Sequence, residues 1–202
     1  MVRATTTRDR ILDAALMAFG TRGYDATSLD ALAVDLGVRK QTILYWFVSK
    51  EALLDAVVER AAIEVAGVLE AAVAVAGPGV DRIDAVMKSV FRYSVRRPEL
   101  LGLLREVNRL GPTVAGPLAS RLRPLTSRAI EAVARLIAAG GLRPADPRIM
   151  VLMMYTLVVG VATDLETQRA LGIEPTVASL RALRREMFAF VQAGVAAPAA
   201  QP

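Results

Sequence analysis

The stretch VRKQTILYWF, Val38–Phe47, follows a glycine and gathers three aromatic residues, in a chain whose aromatic content is only 5%. Ile43 and Phe47 are four residues apart and therefore share one face of a helix. Gln41 and Tyr45 point away from that face. The stretch predicts a short helix with an apolar face for a core and a polar face for a partner.

A second apolar pattern precedes this stretch and makes it one half of a helix pair. Leu29, Leu32 and Leu36 repeat at helical spacing, and Gly37 ends the pattern. Two short helices joined at a glycine, the second polar outside, are typical of a helix-turn-helix, whose second helix enters the DNA major groove. The alternative is that the three rings are core residues of an ordinary helical bundle.

The polar side chains of the second helix have the donors and acceptors that DNA recognition uses. Lys40 can donate to guanine, Gln41 can pair with adenine, and Thr42 can meet a base edge or a phosphate. Other side chains can donate to phosphate oxygens along the groove wall or at the start of the next helix. These phosphate-directed residues are Tyr45, Trp46 and Lys50.

Composition narrows the classes of function. The 202 residues are 54% hydrophobic and 22% charged with a formal net charge of +5, which is typical of a globular protein and permits nucleic acid as a partner. Cysteine and histidine are both absent, so the commonest general base and metal ligand are missing. Asp164 and Glu166, the nearest carboxylate pair, point to different sides of a helix. We expect no metal, no cofactor and no enzymatic activity.

No segment of the sequence predicts a membrane span. The most apolar run, residues 149–162, has 14 residues, and a spanning helix requires roughly 18 or more. The first ten residues, MVRATTTRDR, carry charges where a secretion signal has its apolar run. We therefore expect a cytoplasmic protein without membrane contact.

Helical spacing along the whole chain predicts an all-α fold of about nine helices. Thr6 with Asp9, and Thr27 with Asp30, match capping boxes at the first two helices, and Ser49 caps the fourth. Gly20 and Gly23 are predicted to end the first helix, and the glycines and proline of Gly77–Gly79 are predicted to end the fourth. The later helices are predicted at about residues 80–96, 99–110, 119–139, 147–171 and 175–195.

The segment Thr7–Val57, TRDRILDAALMAFGTRGYDATSLDALAVDLGVRKQTILYWFVSKEALLDAV, resembles the N-terminal domain of the TetR (tetracycline-repressor) family of bacterial transcriptional regulators. The resemblance lies in R-x-x-I-L-x-A-A, G-Y-x-x-T-[ST]-L, L-G-V and F-x-x-K-E-x-L-L. It implies a homodimeric repressor that a small effector, bound in the C-terminal domain, releases from a palindromic operator. By position it implies phosphate contacts from Thr27, Ser28 and Lys50, and a reading face of Lys40, Gln41, Thr42 and Tyr45.

Three departures from the family pattern fall within the opening stretch. Arg39 stands where the family usually has serine or threonine, Leu44 stands where tyrosine is common, and Trp46 stands where histidine is frequent. We include Arg39 and Trp46 among the predicted DNA-binding residues. The predicted organisation is a DNA-binding domain at residues 5–65, with the helix-turn-helix at about 28–47, and an effector-binding and dimerisation domain at 66–197.

The C-terminal two thirds contain apolar stripes that predict an effector cavity and a dimer interface. Methionine adapts to irregular space, and a largely apolar cavity with few polar groups suits an apolar effector. The predicted ligand-binding residues are Met87, Phe91, Leu103, Leu104, Val107, Asn108, Met150, Met153 and Met154. The predicted dimer seam, spaced nearly as a heptad, is Val177, Leu180, Leu183, Met187 and Val191.

Each of these stripes has a simpler alternative, which is that it belongs to the core of one chain. The predicted function also has an alternative, a ligand-independent DNA-binding activator or architectural protein.

Overall fold

The computed structural model describes residues 6–75 and 80–196, and every regular element in these ranges is an α-helix. The all-α prediction is confirmed, and the predicted break at Gly77–Gly79 lies outside the described residues. The helices are α1 Thr7–Arg22, α2 Leu29–Leu36, α3 Lys40–Trp46, α4 Lys50–Val75, α5 Val80–Arg96, α6 Pro98–Arg109, α7 Pro112–Ala138, α8 Pro147–Thr163, α9 Leu165–Ala170 and α10 Val177–Val195.

The N-terminal helices begin and end at residues with specific caps. Thr6 and Asp9 form the predicted capping box of α1. The cap of α2 was predicted at Thr27 but is Ser28, whose hydroxyl accepts from the backbone N–H three residues on at 3.0 Å. Gly37 ends α2 with a φ of 67°, a left-handed conformation that favours glycine. This turn sets the direction in which α3 leaves α2.

The C-terminal region has one helix more than predicted. Residues 147–171 were expected to form one helix, but the chain breaks at Asp164, which ends α8 with φ −92° and ψ 68°. The same carboxylate accepts from the backbone N–H of Thr167 at 3.0 Å and so begins α9. A helix-capping carboxylate at this position competes with continued helix, and periodicity alone does not detect it. In the same region, α7 begins at Pro112 rather than near residue 119.

The chain forms two compact units. The first unit joins the residues up to Glu64 to Arg97–Arg121, and the second joins Val65–Arg96 to the residues from Leu122 onward. The first unit therefore contains α6 in addition to α1, α2, α3 and the first part of α4. Within it, α1 contacts both α6 and α2, and α2 contacts α3.

Two glycines allow α1 and α6 to cross with their backbones in contact. A Cβ added to Gly102 would lie 1.9 Å from the carbonyl oxygen of Gly20, and one added to Gly20 would lie 2.2 Å from that of Glu99. Gly20 was predicted to mark the end of α1, but the helix continues to Arg22 and ends at Gly23, with a φ of 89°. Gly20 is therefore a packing residue, and its lack of a side chain permits the crossing.

The second unit has an apolar core in which α5, α8 and α10 contact one another. Methionine contributes three of the buried side chains of this core. The buried members are Ile83, Met87, Phe91, Val133, Leu142, Met150, Val158, Met187, Phe188, Val191 and Val195.

Candidate nucleic-acid interface

The three rings of the opening stretch divide between the core and the surface. Ile43 and Phe47 are buried, as their spacing predicts. Tyr45 is 80% exposed and Trp46 is 43% exposed, and their ring centroids lie 5.3 Å apart at an edge-to-face angle of 86°. The bundle-core alternative therefore holds for Phe47 and is wrong for the other two rings. An exposed aromatic pair, whose polar tips can meet phosphate, lies on α3.

The polar residues at the start of α3 face solvent or are only partly buried. Arg39 and Gln41 are exposed, and Thr42 is half-buried. Arg39 is the N-cap residue of α3 and makes no side-chain cap bond. Lys40 Nζ lies 2.8 Å from Asp30 Oδ2 on α2 and forms an ion pair in which both side chains are exposed to solvent. Because exposed ion pairs contribute little free energy, Lys40 can exchange Asp30 for a base edge at low cost.

The two residues predicted to contact phosphate at the start of α2 have different environments. Ser28 is exposed and caps the helix. Thr27 is 1% exposed, and its hydroxyl donates to the carbonyl oxygen of Gly23 at 2.8 Å. Within this chain the Thr27 side chain stabilises the turn between α1 and α2.

Lys50, the first residue of α4, lies over an aromatic ring of the turn between α1 and α2. Its Nζ is 4.1 Å from the centroid of the Tyr24 ring, well within the range of a cation–π interaction. The Tyr24 hydroxyl donates to Glu51 Oε1 at 3.2 Å. Burial, together with the charge of Glu51, raises the pKa of Tyr24 to about 12, so the hydroxyl remains a donor at neutral pH.

A buried carboxylate on α6 reaches the same turn. Glu106 Oε1 accepts from the backbone N–H of Tyr24 at 2.5 Å and from Arg109 Nη2 at 2.8 Å. Arg109 also bonds Asp25 at 2.7 Å. The hydrogen bond from Arg109, followed by the one from the Tyr24 backbone, holds the pKa of Glu106 below its ordinary value against the effect of burial. Sequence reasoning missed this contact, because Glu106 and Tyr24 are 82 residues apart.

The predicted ligand-binding residues are divided between the two units. Met87, Phe91 and Met150 are buried in the second unit's core, and Met154 packs against it. Met153 is exposed. The other four predicted residues are on α6 in the first unit, where Leu103 and Val107 are buried, Leu104 is half-buried and Asn108 is exposed.

Each unit has a cavity of its own. In the second unit a cavity of about 10 Å³ is lined by Ile83, Asp84, Met87, Phe188, Val191, Gln192 and Val195, which is room for about one water molecule. In the first unit an open groove of about 230 Å³ lies between the end of α1 and α6, beside Arg22, Arg105 and Arg109.

The predicted dimer-seam residues have unequal exposure. Met187 and Val191 are buried within the second unit's core, Leu180 and Leu183 are half-buried, and Val177 is exposed. Large apolar residues are instead exposed elsewhere on α8 and α10. These are Ile149, Leu152, Met153 and Tyr155 on α8, and Phe190, which is 69% exposed, on α10.

The described residues contain neither a membrane-spanning helix nor a metal-binding cluster. No helix within residues 6–75 and 80–196 is both long and apolar enough to cross a membrane. The same ranges contain no cluster of three or more acidic side chains that could hold a metal ion.

Comparison with known proteins relates this chain to bacterial regulators. The sequence pattern described as "Bacterial regulatory proteins, tetR family" matches residues 11–57. The uncharacterized HTH-type transcriptional regulator YhgD of Bacillus subtilis is 24% identical over 171 residues, which is 84% of this chain and 90% of YhgD. IcaR of Staphylococcus aureus, the HTH-type negative transcriptional regulator of the biofilm operon icaADBC, is 35% identical over 48 residues, 24% of this chain and 26% of IcaR.

The fold is also that of a solved regulator. The transcriptional regulator FadR of Bacillus subtilis, solved in complex with stearoyl-CoA, superposes with a TM-score of 0.77 at 16% identity, over 92% of this chain and 97% of FadR.

Proposed function

From the match of residues 11–57 to the tetR family of bacterial regulatory proteins, we propose that this chain is a homodimeric repressor of that family, which a small, largely apolar effector releases from a palindromic operator. The observation that carries the proposal is the exposed polar and aromatic face of α3. IcaR, similar to the N-terminal quarter of this chain, is a negative regulator, and this supports repression. A repressor acts on chromosomal DNA, so we propose the bacterial cytoplasm as its compartment.

In the proposed complex α3 lies in the major groove and reads base edges. Gln41 offers an amide that can pair with adenine N6 and N7, and Lys40 can leave Asp30 to donate to guanine O6 and N7. Tyr45 and Trp46 extend from the same exposed face toward the groove wall. The proposed base contacts therefore come from the first turn of α3, the part of a recognition helix that contacts bases.

Phosphate contacts are proposed on both sides of this helix. Arg39 precedes α3 with an exposed guanidinium, and Ser28 and Lys50 lie at the N-termini of α2 and α4, where backbone N–H groups favour an anion. Thr27 supports these contacts through the turn that its hydroxyl stabilises. Positive charges near phosphates release counterions, so the affinity should fall with salt.

The proposed dimer interface is the exposed apolar surface of α8 and α10. Leu152, Met153 and Phe190 are large apolar side chains that one chain leaves in water, and contact with the same surface of a second copy would bury them in a two-fold interface. Half-buried Leu180 and Leu183 lie on the same helix as Phe190. Dimerisation would allow two α3 helices to be held about 34–36 Å apart, one duplex turn.

The proposed effector site is the core of the second unit. Its cavity of about 10 Å³ is smaller than any effector, so a ligand must displace core side chains to enter. Met87 and Met150 are unbranched and can change conformation to make room. FadR of Bacillus subtilis, which has this fold, was solved with stearoyl-CoA, and this supports an effector with a long apolar portion. The effector must favour the DNA-free state, because equal binding to both states shifts nothing.

The test is to select bound duplexes from a random pool, footprint the selected site, and repeat the footprint with ligands. Stearoyl-CoA and compounds that raise the melting temperature of the protein are the probes. We expect a two-fold symmetric footprint that a stabilising apolar compound abolishes. If every compound that raises the melting temperature leaves the DNA affinity unchanged, the effector-gated function is wrong, and a ligand-independent DNA-binding protein is favoured.

A further inference from the structure

Tyr24, which follows α1, connects α4 and α6 of the first unit at a point next to the proposed DNA-contacting face. Its ring lies under Lys50 at the start of α4, its hydroxyl bonds Glu51, and its backbone bonds Glu106 on α6. We propose that Tyr24 is a positioning residue for DNA binding, which holds the Lys50 ammonium where it meets a phosphate and is itself anchored by Glu106. The inference rests on the proposed phosphate contact of Lys50.

The ring restricts Lys50 without neutralising its charge. A lysine side chain on a flexible four-carbon stem loses rotamer freedom when it binds. Because the Tyr24 centroid lies 4.1 Å from Nζ, part of that freedom is lost before DNA arrives. The ammonium has three donors, and an aromatic face accepts on one side only. The remaining donors are available for a phosphate oxygen.

The hydroxyl of Tyr24 fixes the ring relative to α4. It donates to Glu51, which lies in the first turn of the same helix as Lys50. Ring and ammonium are therefore held by adjacent residues of one helix. The raised pKa of Tyr24 keeps the hydroxyl protonated, so this bond persists throughout the neutral range.

Glu106 anchors the backbone of Tyr24 from α6. The carboxylate is buried, accepts the Tyr24 N–H at 2.5 Å and is itself held by Arg109. α6 crosses α1 with backbones in contact at Gly20 and Gly102. The position of Tyr24 is thus set by a rigid helix crossing rather than by the short turn alone.

The experiment measures DNA affinity as a function of salt for Lys50→Ala, Tyr24→Leu, Tyr24→Phe and the double variant Lys50→Ala/Tyr24→Leu. The probe is a short duplex of fixed arbitrary sequence, since phosphate contacts do not depend on sequence. Lys88→Ala is the matched control, because Lys88 also lies over a ring, 5.9 Å from that of Phe188, but belongs to the second unit.

Lys50→Ala should flatten the salt slope by about one unit per protomer, and Lys88→Ala should leave it unchanged. Tyr24→Leu should weaken binding about threefold per protomer and flatten the slope in the same direction. Tyr24→Phe retains the ring and should stay nearer the wild type than Tyr24→Leu. In the double variant the loss of the ring should cost nothing further, because the lysine that it positions is gone.

The outcomes separate this inference from the proposed function. If Lys50→Ala leaves the slope unchanged, the proposed phosphate contact itself is wrong. If Lys50→Ala flattens the slope while Tyr24→Leu does not, or if the two effects add, only the positioning role is overturned. The wild type supplies a check that needs no variant. The ring current of Tyr24 should shift the NMR resonances of the Lys50 side-chain protons upfield, and Lys50 protons without this upfield shift would also overturn the inference.

Glu106 gives a test in which simple electrostatics predicts the opposite sign. Removing a negative charge near DNA should by itself tighten binding. The anchoring role predicts instead that Glu106→Ala weakens binding about threefold, while Glu106→Gln, whose amide oxygen can still accept the Tyr24 N–H, stays within about twofold of wild type. A folded Glu106→Ala protein that binds as tightly as wild type, or more tightly, contradicts the anchor.

Discussion

Both compact units have apolar cores, but they differ in the contacts that supplement those cores. In the first unit, helix backbones touch at Gly20 and Gly102, and a buried carboxylate, an arginine and a tyrosine form directional hydrogen bonds. In the second unit, the core consists of aliphatic, aromatic and methionine side chains with a cavity of about 10 Å³. Directional bonds permit one arrangement, whereas a methionine-containing core can adopt several.

This difference agrees with what each unit is proposed to do. A base-reading helix must be held to a fraction of an ångström, and in the first unit backbone crossings and hydrogen bonds add to the apolar core that supports it. A core that must open for a ligand cannot be rigid in the same way.

The largest effect should come from charges on the exposed apolar surface of the second unit. Leu152→Asp with Phe190→Asp changes residues that one chain exposes, so each protomer should still fold. In the proposed dimer each unpaired buried charge should cost about 3–5 kcal/mol. Sedimentation should show monomers, and operator binding should be lost. Leu171→Asp, the same change at an exposed leucine outside α8 and α10, should leave the dimer intact. A dimeric double variant would place the interface elsewhere.

A single methyl group at the helix crossing should damage the first unit severely. Gly102→Ala places a Cβ 1.9 Å from a backbone oxygen that cannot move independently, and we expect a loss of about 3 kcal/mol in the free energy of unfolding. Gly67→Ala on α4 is the control, since nothing lies within 4 Å of its added Cβ. It should raise stability by about 0.5–1 kcal/mol. Urea unfolding of the two variants measures both numbers, and equal stabilities would show that the crossing can yield.

A change on the reading face should alter sequence preference more than stability. Gln41→Ala removes an exposed amide from α3 and should cost about 1–3 kcal/mol against the preferred base at one position of each half-site. Competition between the selected operator and single-base variants measures this preference. Gln192→Ala, an exposed glutamine of the second unit, is the control and should change nothing. A uniform loss over all duplexes would mean that Gln41 touches only the DNA backbone.

The smallest effect should be an acid dependence of stability that comes from the first unit. The pKa of Glu106 is lowered in the folded state from its ordinary value of 4.5. A lowered folded pKa adds stability that is fully present above the unfolded pKa and is lost as the pH falls through the folded one. Urea unfolding between pH 2 and 7 should therefore show a weaker decline below about pH 4.5 in Glu106→Gln than in wild type. Parallel curves would contradict the assignment of this carboxylate.

The sequence predicts local features well and long-range ones poorly. The caps at Thr6 and Ser49, the turn at Gly37 and the buried face of α3 all follow from residues within a few positions of one another, and all are confirmed. The packing of α6 against α1 could not be predicted, because the contacting residues are about 80 positions apart in the sequence. Gly20 lies inside α1, but local sequence predicts a helix end there, because glycine commonly follows the last residue of a helix.

The apolar stripe of α10 illustrates the same limit. Met187 and Val191 have the spacing of a seam between two chains, but they are buried in the core of one chain. Spacing identifies the face of a helix that avoids water, and it does not identify which chain covers that face. Phe190 is adjacent in sequence to Val191 of this stripe, and only the structure shows that Phe190 is exposed whereas Val191 is buried.

The crossing of α1 and α6 also determines how this protein can be recombined with others to make hybrid sensors. In a hybrid with a single junction near residue 65, Gly20 would come from this protein and the residue at position 102 from the donor, so the donor's α6 would have to pack against α1 of this protein. Any donor with a side chain at the equivalent of position 102 would collide with the carbonyl oxygen of Gly20. A workable transplant therefore needs three junctions, keeping residues 97–121 with the N-terminal segment and exchanging the two segments that form the second unit. Grafts made in this way should retain the DNA sequence preference proposed for this protein while acquiring the chemical selectivity of the donor.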